Sequence, residues 1–143
     1  MFEHRFSPRY LEVDQLGVVF NMWYLEYFDG ALAAFFAHLG HPYPGLMAGG
    51  HDVMLVRSEQ DWSAGLRYGD DATTGVSVEH LGRTSFTLRF DVSRVGDSGG
   101  RESVCIGRTV YVVVARDGSG KREIPPSLRT AMAEHLVAAG RTP

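Results

Sequence analysis

The chain has 143 residues, 44% of them hydrophobic and 22% charged, with a formal net charge of −3. That length and balance fit one domain with a real core and exclude a disordered chain. The mildly acidic charge and the lack of a basic run leave no footprint for nucleic acid or a membrane surface, and the single cysteine, Cys105, rules out an internal disulfide framework.

Met1 to Arg9 is too polar for a signal peptide, and no apolar run reaches transmembrane length. The expectation is a soluble, cytoplasmic domain spanning residues 1–143. Phe2, His4 and Phe6 alternate with Glu3, Arg5 and Ser7, which predicts a short strand within residues 2–10. From Trp23 to Leu39 the apolar residues Trp23, Tyr24, Tyr27, Phe28, Ala31, Leu32, Phe35, Phe36 and Leu39 recur at helical spacing. Asn21 is the expected N-cap, Gly40 the C-terminal stop, and the broad stripe implies a helix covered on most sides. Gly30 in its middle would be justified by the close approach of another backbone.

Residues 41–50 are rich in Gly and Pro and read as a loop. Four strand-like runs follow: Val53–Trp62, Ala72–Leu81, one with Phe86, Leu88, Phe90 and Val92 on a single face, and Glu102–Ala115. In the last, Val104, Ile106, Val110, Val112 and Val114 read as the buried face. Pro125-Pro126-Ser127 opens a short C-terminal helix expected to turn Leu128, Ala131, Met132 and Leu136 inward. The glycine-punctuated strands suit successive antiparallel hairpins, giving an α+β layout. One helix cannot cover five strands, so a homodimer or homotetramer is expected.

The segment Glu12-Val13-Asp14-Gln15-Leu16-Gly17-Val18-Val19-Phe20-Asn21, followed by Tyr24, sets a carboxylate on a glycine-containing loop that leads straight into the long helix. A helix N-terminus offers unpaired N–H groups and a positive dipole end. A carboxylate beside it can attack, or activate water against, a carbonyl that those groups polarise. With this spacing, and with Leu66-Arg67-Tyr68-Gly69-Asp70 and Leu81-Gly82-Arg83-Thr84-Ser85-Phe86 in place, the chain resembles the hotdog-fold acyl-CoA thioesterases of the 4-hydroxybenzoyl-CoA thioesterase-like family.

The resemblance implies an antiparallel five-stranded sheet curled around one long central helix, with a short C-terminal helix. It implies Asp14 as the catalytic carboxylate, Asn21 as the source of the polarising backbone N–H, and Tyr10 near the carboxylate. Gly17, Val18, Tyr24, Arg83 and Ser85 fall at substrate or CoA positions. Some members carry histidine where this chain has Asn21, which leaves only the backbone role there. Many are richer in basic residues at the 81–86 hairpin, and members often carry Arg where this chain has Leu32. The implied reaction is hydrolysis of an acyl-CoA or acyl-carrier-protein thioester. No cofactor is implied, since coenzyme A is part of the substrate, and the six histidines show no metal-ligand spacing.

A non-catalytic acyl-CoA-binding hotdog module is the alternative. An enoyl-thioester hydratase ranks lower, because it needs a histidine beside the acid and none lies within several residues of Asp14. Trp23, Tyr27 and Phe28 are candidates for an acyl pocket or for plain core. The G-x-S-x-G match at Gly96 to Gly100 lies between two alternating strands and reads as a hairpin loop. Cys105, inside a strand run, reads as an inert buried thiol.

Overall fold

The structure, a computed structural model, describes residues 1–138. Its elements are β1 (Phe2–Phe6), a 3-10 turn (Tyr10–Glu12), α1 (Trp23–His38), α2 (Tyr43–Ala48), β2 (His51–Trp62), β3 (Ala72–Leu81), β4 (Ser85–Val95), β5 (Arg101–Ala115) and α3 (Pro126–Ala133). The strands form one five-stranded sheet in the order β1-β3-β4-β5-β2, every neighbouring pair antiparallel. The strand expected within residues 2–10 stops at Phe6, two residues before Pro8, which has no N–H to give the ladder.

The sheet wraps α1. Rings on the helix meet side chains from both edges and the middle of the sheet: Tyr27 meets Phe6 of β1 at 4.4 Å, Phe28 stacks on Phe90 of β4 at 4.7 Å, and Tyr24 meets Trp62 of β2 edge-on at 5.5 Å. Phe28 also lies over Gly107 of β5, where an added Cβ would come within 2.5 Å of the ring. No larger residue fits between this helix and that strand.

Several expectations are corrected at the level of local packing. The helix begins at Trp23 with Met22 as N-cap and no side-chain capping bond, so Asn21 lies just outside it and caps nothing. At the other end the prediction holds: Gly40 takes φ +82°, its N–H donates to Ala37 and that of His41 to Phe36, a Schellman closure. The helix is not covered on most sides. Leu25, Glu26, Asp29 and Gly30 are exposed, and nothing approaches a Cβ position at Gly30.

The 41–50 loop contains α2, because Pro42 and Pro44 fall at its cap and first turn, where a missing N–H costs nothing. In β5 the expectation holds in part: Val104 and Val112 are buried, but Ile106, Val110 and Val114 are only half-buried, and the row of Cys105, Gly107, Thr109, Tyr111, Val113 and Ala115 is buried throughout. Close approach of α1 favours small residues on the inner face, which hides it from a hydrophobicity count. Beyond α3, Leu136 is half exposed and is not a helix residue. It belongs to a segment in which His135 and Val137 bond to both sides of Val78, covering the edge of β3 just beyond the start of β1, where Phe2 pairs with Val76.

Candidate functional site

Val13 and Val19 face each other in an isolated antiparallel bridge, so residues 12–20 form a tight hairpin with Asp14 at its tip. The Asp14 N–H donates to Val18 at 2.9 Å and the Gly17 N–H to the Asp14 carbonyl at 3.0 Å. Gly17 adopts φ +79°, a conformation other residues reach only at a cost. One carboxylate oxygen of Asp14 accepts the Leu16 N–H at 2.8 Å, which fixes the side chain. Among the described residues its other oxygen has no protein donor, and the side chain is half exposed.

The hairpin returns into α1. The Phe20 N–H donates to Glu12, that of Trp23 to Phe20 and that of Tyr24 to Asn21. Between them, the N–H groups of Asn21 and Met22 meet no protein acceptor among the described residues. The site thus offers a fixed carboxylate with one open oxygen and two open amides at the positive end of a 16-residue helix. Such donors can stabilise an oxyanion, and such a carboxylate can attack or take a proton.

The loop is anchored on the β2 side of the molecule. The Val19 N–H donates to Leu66 at 2.9 Å, and Val18 packs on Gly65, where a Cβ would come within 2.8 Å of it. Asp14 does not border the cavity of about 420 Å³ between β1 and α1, lined by His4, Phe6, Arg9, Glu12, Glu26 and Tyr27. Nor does it border the one of about 700 Å³ between β3 and α3.

The remaining expected site residues divide into four groups. Gly17 and Val18 share the hairpin with Asp14. Tyr10 is 81% exposed on the preceding turn and packs edge-on against Tyr68. Tyr24 is fully buried, as are Tyr27 and Phe28, so these rings form core around the helix start. Arg83 and Ser85 lie elsewhere, on the β3–β4 hairpin near the C-terminal end of α1, where Phe86 meets Phe36. There Arg83 pairs with Glu123 at 2.9 Å. A single chain does not bring them to Asp14. Ser98 lies in the exposed turn between β4 and β5, closed by bonds from Gly96 to Gly100 and from Gly99 to Gly96. Burial, with the Asp61 charge nearby, pushes the Cys105 thiol up to about 12.

The residue that sequence reasoning passed over is Glu12, and the signal was its place two residues before Asp14. It is buried, accepts hydrogen bonds from Tyr27 and Arg9, and lines the cavity beside β1. Burial by itself would raise its carboxyl. The bonds from Tyr27 and Arg9, with the Arg9 charge, outweigh that and hold it below the usual carboxylate range. Tyr27 is pushed well above its ordinary value by burial and by the Glu12 carboxylate it faces.

Residues 16–100, more than half of the chain, match the family described as the thioesterase superfamily. The chain belongs to that superfamily. A protein of Aquifex aeolicus (strain VF5), provisionally named an esterase, is 29% identical over 91 residues, covering 64% of this chain and 71% of its own. The solved structure of the dynemicin thioesterase is 25% identical with a TM-score of 0.85, covering 96% of this chain and 98% of that one. A 4-hydroxybenzoyl-CoA thioesterase variant in complex with 4-hydroxybenzoyl-CoA has the same fold, with a TM-score of 0.83 at 20% identity over 92% of this chain and 97% of that one. The five-stranded sheet around α1 is therefore a hotdog fold, and the class of chemistry that goes with the superfamily is acyl-thioester hydrolysis. Among the described residues no helix of this thioesterase is long and apolar enough to cross a membrane.

Proposed function

We propose that this thioesterase cleaves an acyl-CoA or acyl-carrier-protein thioester to the free acid and the thiol, with Asp14 as nucleophile or general base. The observation that carries the reading is the pairing of a fixed carboxylate, one oxygen open, with the unpaired N–H groups of Asn21 and Met22 on the same hairpin-to-helix junction. The thioester oxygen accepts from those amides as it gains charge. Asp14 either attacks the carbonyl carbon, giving a mixed anhydride that water hydrolyses, or takes the proton from an attacking water. Both routes expel the thiolate, which leaves as thiol after protonation. Asn21 acts through its backbone. Tyr10, exposed on the neighbouring turn, faces the substrate. The non-catalytic alternative gives a free carboxylate at an open helix end no task.

A second copy of the chain completes the site in this reading. β2 is an edge strand of 12 residues whose outer side has no neighbour among the described residues. Met54, Leu55, Val56 and Trp62 expose apolar surface along it. Val53 at its start pairs with Val113, whose N–H donates to Thr84, so the 81–85 hairpin lies at the beginning of β2 and Asp14 at its end. A two-fold axis through the middle of β2 would bring the partner subunit's Arg83 and the partner subunit's Ser85 to the Asp14 end. CoA phosphates and pantetheine would meet them there. Thiol release from a panel of aryl-, short-chain and long-chain acyl-CoA and acyl-carrier-protein thioesters tests the proposal. Turnover of at least one class, with thiol and acid in equal amounts, supports it; binding of acyl-CoA with no turnover of any member overturns it in favour of the binding module.

A further inference from the structure

The mechanism uses Asp14 and leaves the buried acid beside it, Glu12, without a task. Glu12 is 2% exposed although it lies two residues from an open hairpin tip. Burying a carboxylate costs several kcal/mol, on the order of the loss of its water, unless strong hydrogen bonds replace that water. Here they do. One oxygen accepts the Tyr27 hydroxyl at 2.6 Å and the Arg9 N–H at 3.0 Å, and the other accepts Arg9 Nε at 2.6 Å. The Glu12 backbone carbonyl accepts the Phe20 N–H at 2.9 Å, directly before the open amides of Asn21 and Met22.

One residue therefore joins three pieces: the incoming chain through Arg9, the second turn of α1 through Tyr27, and the last residue of the hairpin through Phe20. Each partner is itself held. Tyr27 packs between Phe6 and Tyr24, while Arg9 lies over the Trp23 ring and pairs with Glu26 at 3.4 Å, both on the first turn of α1. α1 cannot rotate or slide against the hairpin without breaking the Glu12–Tyr27 bond. The relation between the Asp14 carboxylate and the open amides is set by that joint, and displacements of about 1 Å there are large on the scale of a reacting pair.

We infer that Glu12 is a positioning residue which, locked between Tyr27 and Arg9, holds the Asp14 hairpin against the start of α1. The inference deepens the proposed hydrolysis and rests on it. A merely stabilising acid would lower the unfolding midpoint and leave the turnover of folded enzyme alone; a positioning acid lowers turnover with the fold intact.

The test uses the full chain with Glu12→Gln, which keeps the shape and an acceptor but loses the charge. Tyr27→Phe, which removes only one hydroxyl, is the second variant. Each is made alone and on Asp14→Asn, and each is read by steady-state kinetics and by backbone hydrogen exchange. Each single variant should fold, lose about a hundredfold in kcat and keep KM within about threefold. Exchange at the Asp14, Gly17 and Phe20 amides should rise about tenfold, with that of Phe90 in the core unchanged. On Asp14→Asn neither change should lower the rate further, since both act through Asp14. A wild-type kcat with wild-type exchange overturns the inference, as does a full additional loss on Asp14→Asn. If Asp14→Asn itself turned over at the wild-type rate, the hydrolytic role of Asp14 would fall, and exchange at the hairpin amides would still decide whether Glu12 holds it.

Discussion

On one edge of the sheet, β1 is five residues long, turns Glu3 and Arg5 outward into pairs with Arg101 and Asp71, and ends short of Pro8. At its other end, beyond the partner of Phe2, the segment around His135 and Val137 takes up the edge of β3 at Val78. The opposite edge, β2, is 12 residues long, unpaired on its outer side among the described residues, and apolar at Met54, Leu55 and Val56. An edge that needs no neighbour is shortened, charged and covered; an edge left long and partly apolar offers a surface for one, as the proposed second copy requires. The Asp14 hairpin is fastened to the end of the second edge through Leu66 and Gly65. The proposed site and the open edge occupy the same side of the molecule.

Breaking that association gives the largest expected effect. If the proposed assembly through β2 holds, Leu55→Arg, which puts a charge into that edge, should halve the mass seen by light scattering and lower kcat/KM by about a hundredfold, as the partner's half of the proposed site is lost. An unchanged mass would show that β2 is not the contact. Next, the shared core between the edges is probed by Gly107→Val, whose side chain meets the Phe28 ring. It should cost about 1–3 kcal/mol in a urea unfolding titration, whichever edge is intact.

A pH comparison sharpens the contrast between two acids. Glu12, near the β2-side hairpin, and Glu3, on the β1 edge, both have carboxyls held below the ordinary 4.5. For Glu3 the first cause is the Arg101 hydrogen bond, at an exposed position where solvent screens the gain. A depressed carboxyl adds stability above its unfolded value, and that stability is lost as pH falls through the folded value. The urea midpoint of Glu12→Gln should therefore lie below that of the wild type at neutral pH, with the gap closing below about pH 4.5. The smallest effect belongs to the β1 edge itself. Glu3→Gln should shift stability by no more than about 0.5 kcal/mol and leave mass and turnover unchanged.

Much of this architecture was legible in the residues. The 3–4 spacing of aromatics in α1, the Gly40 closure and the alternation of β4 each follow from a single side-chain period. The face of β5 was only partly legible: Val104 and Val112 are buried as expected, but the continuous inner row of Cys105, Gly107, Thr109 and Tyr111 admits the helix, while Ile106, Val110 and Val114 are half-buried. α2 was hidden by prolines that start a helix as readily as they end one. At the site, the spacing of Asp14 and Gly17 marked a loop before the helix, and the positive φ of Gly17 closes that loop as a hairpin. The capping role expected of Asn21 failed because the helix begins one residue later than that role requires. Glu12 stayed unseen because its partners, Tyr27 and Arg9, are fixed by tertiary packing and not by any local period.

The account depends on Asp14 acting on a thioester held at the start of α1. The most direct measurement is the rate of thiol release by Asp14→Asn against the wild type on one acyl-CoA, with binding of that substrate followed by calorimetry. The account predicts a loss of about a hundredfold or more in rate with binding retained. A variant that releases thiol as fast as the wild type would contradict it.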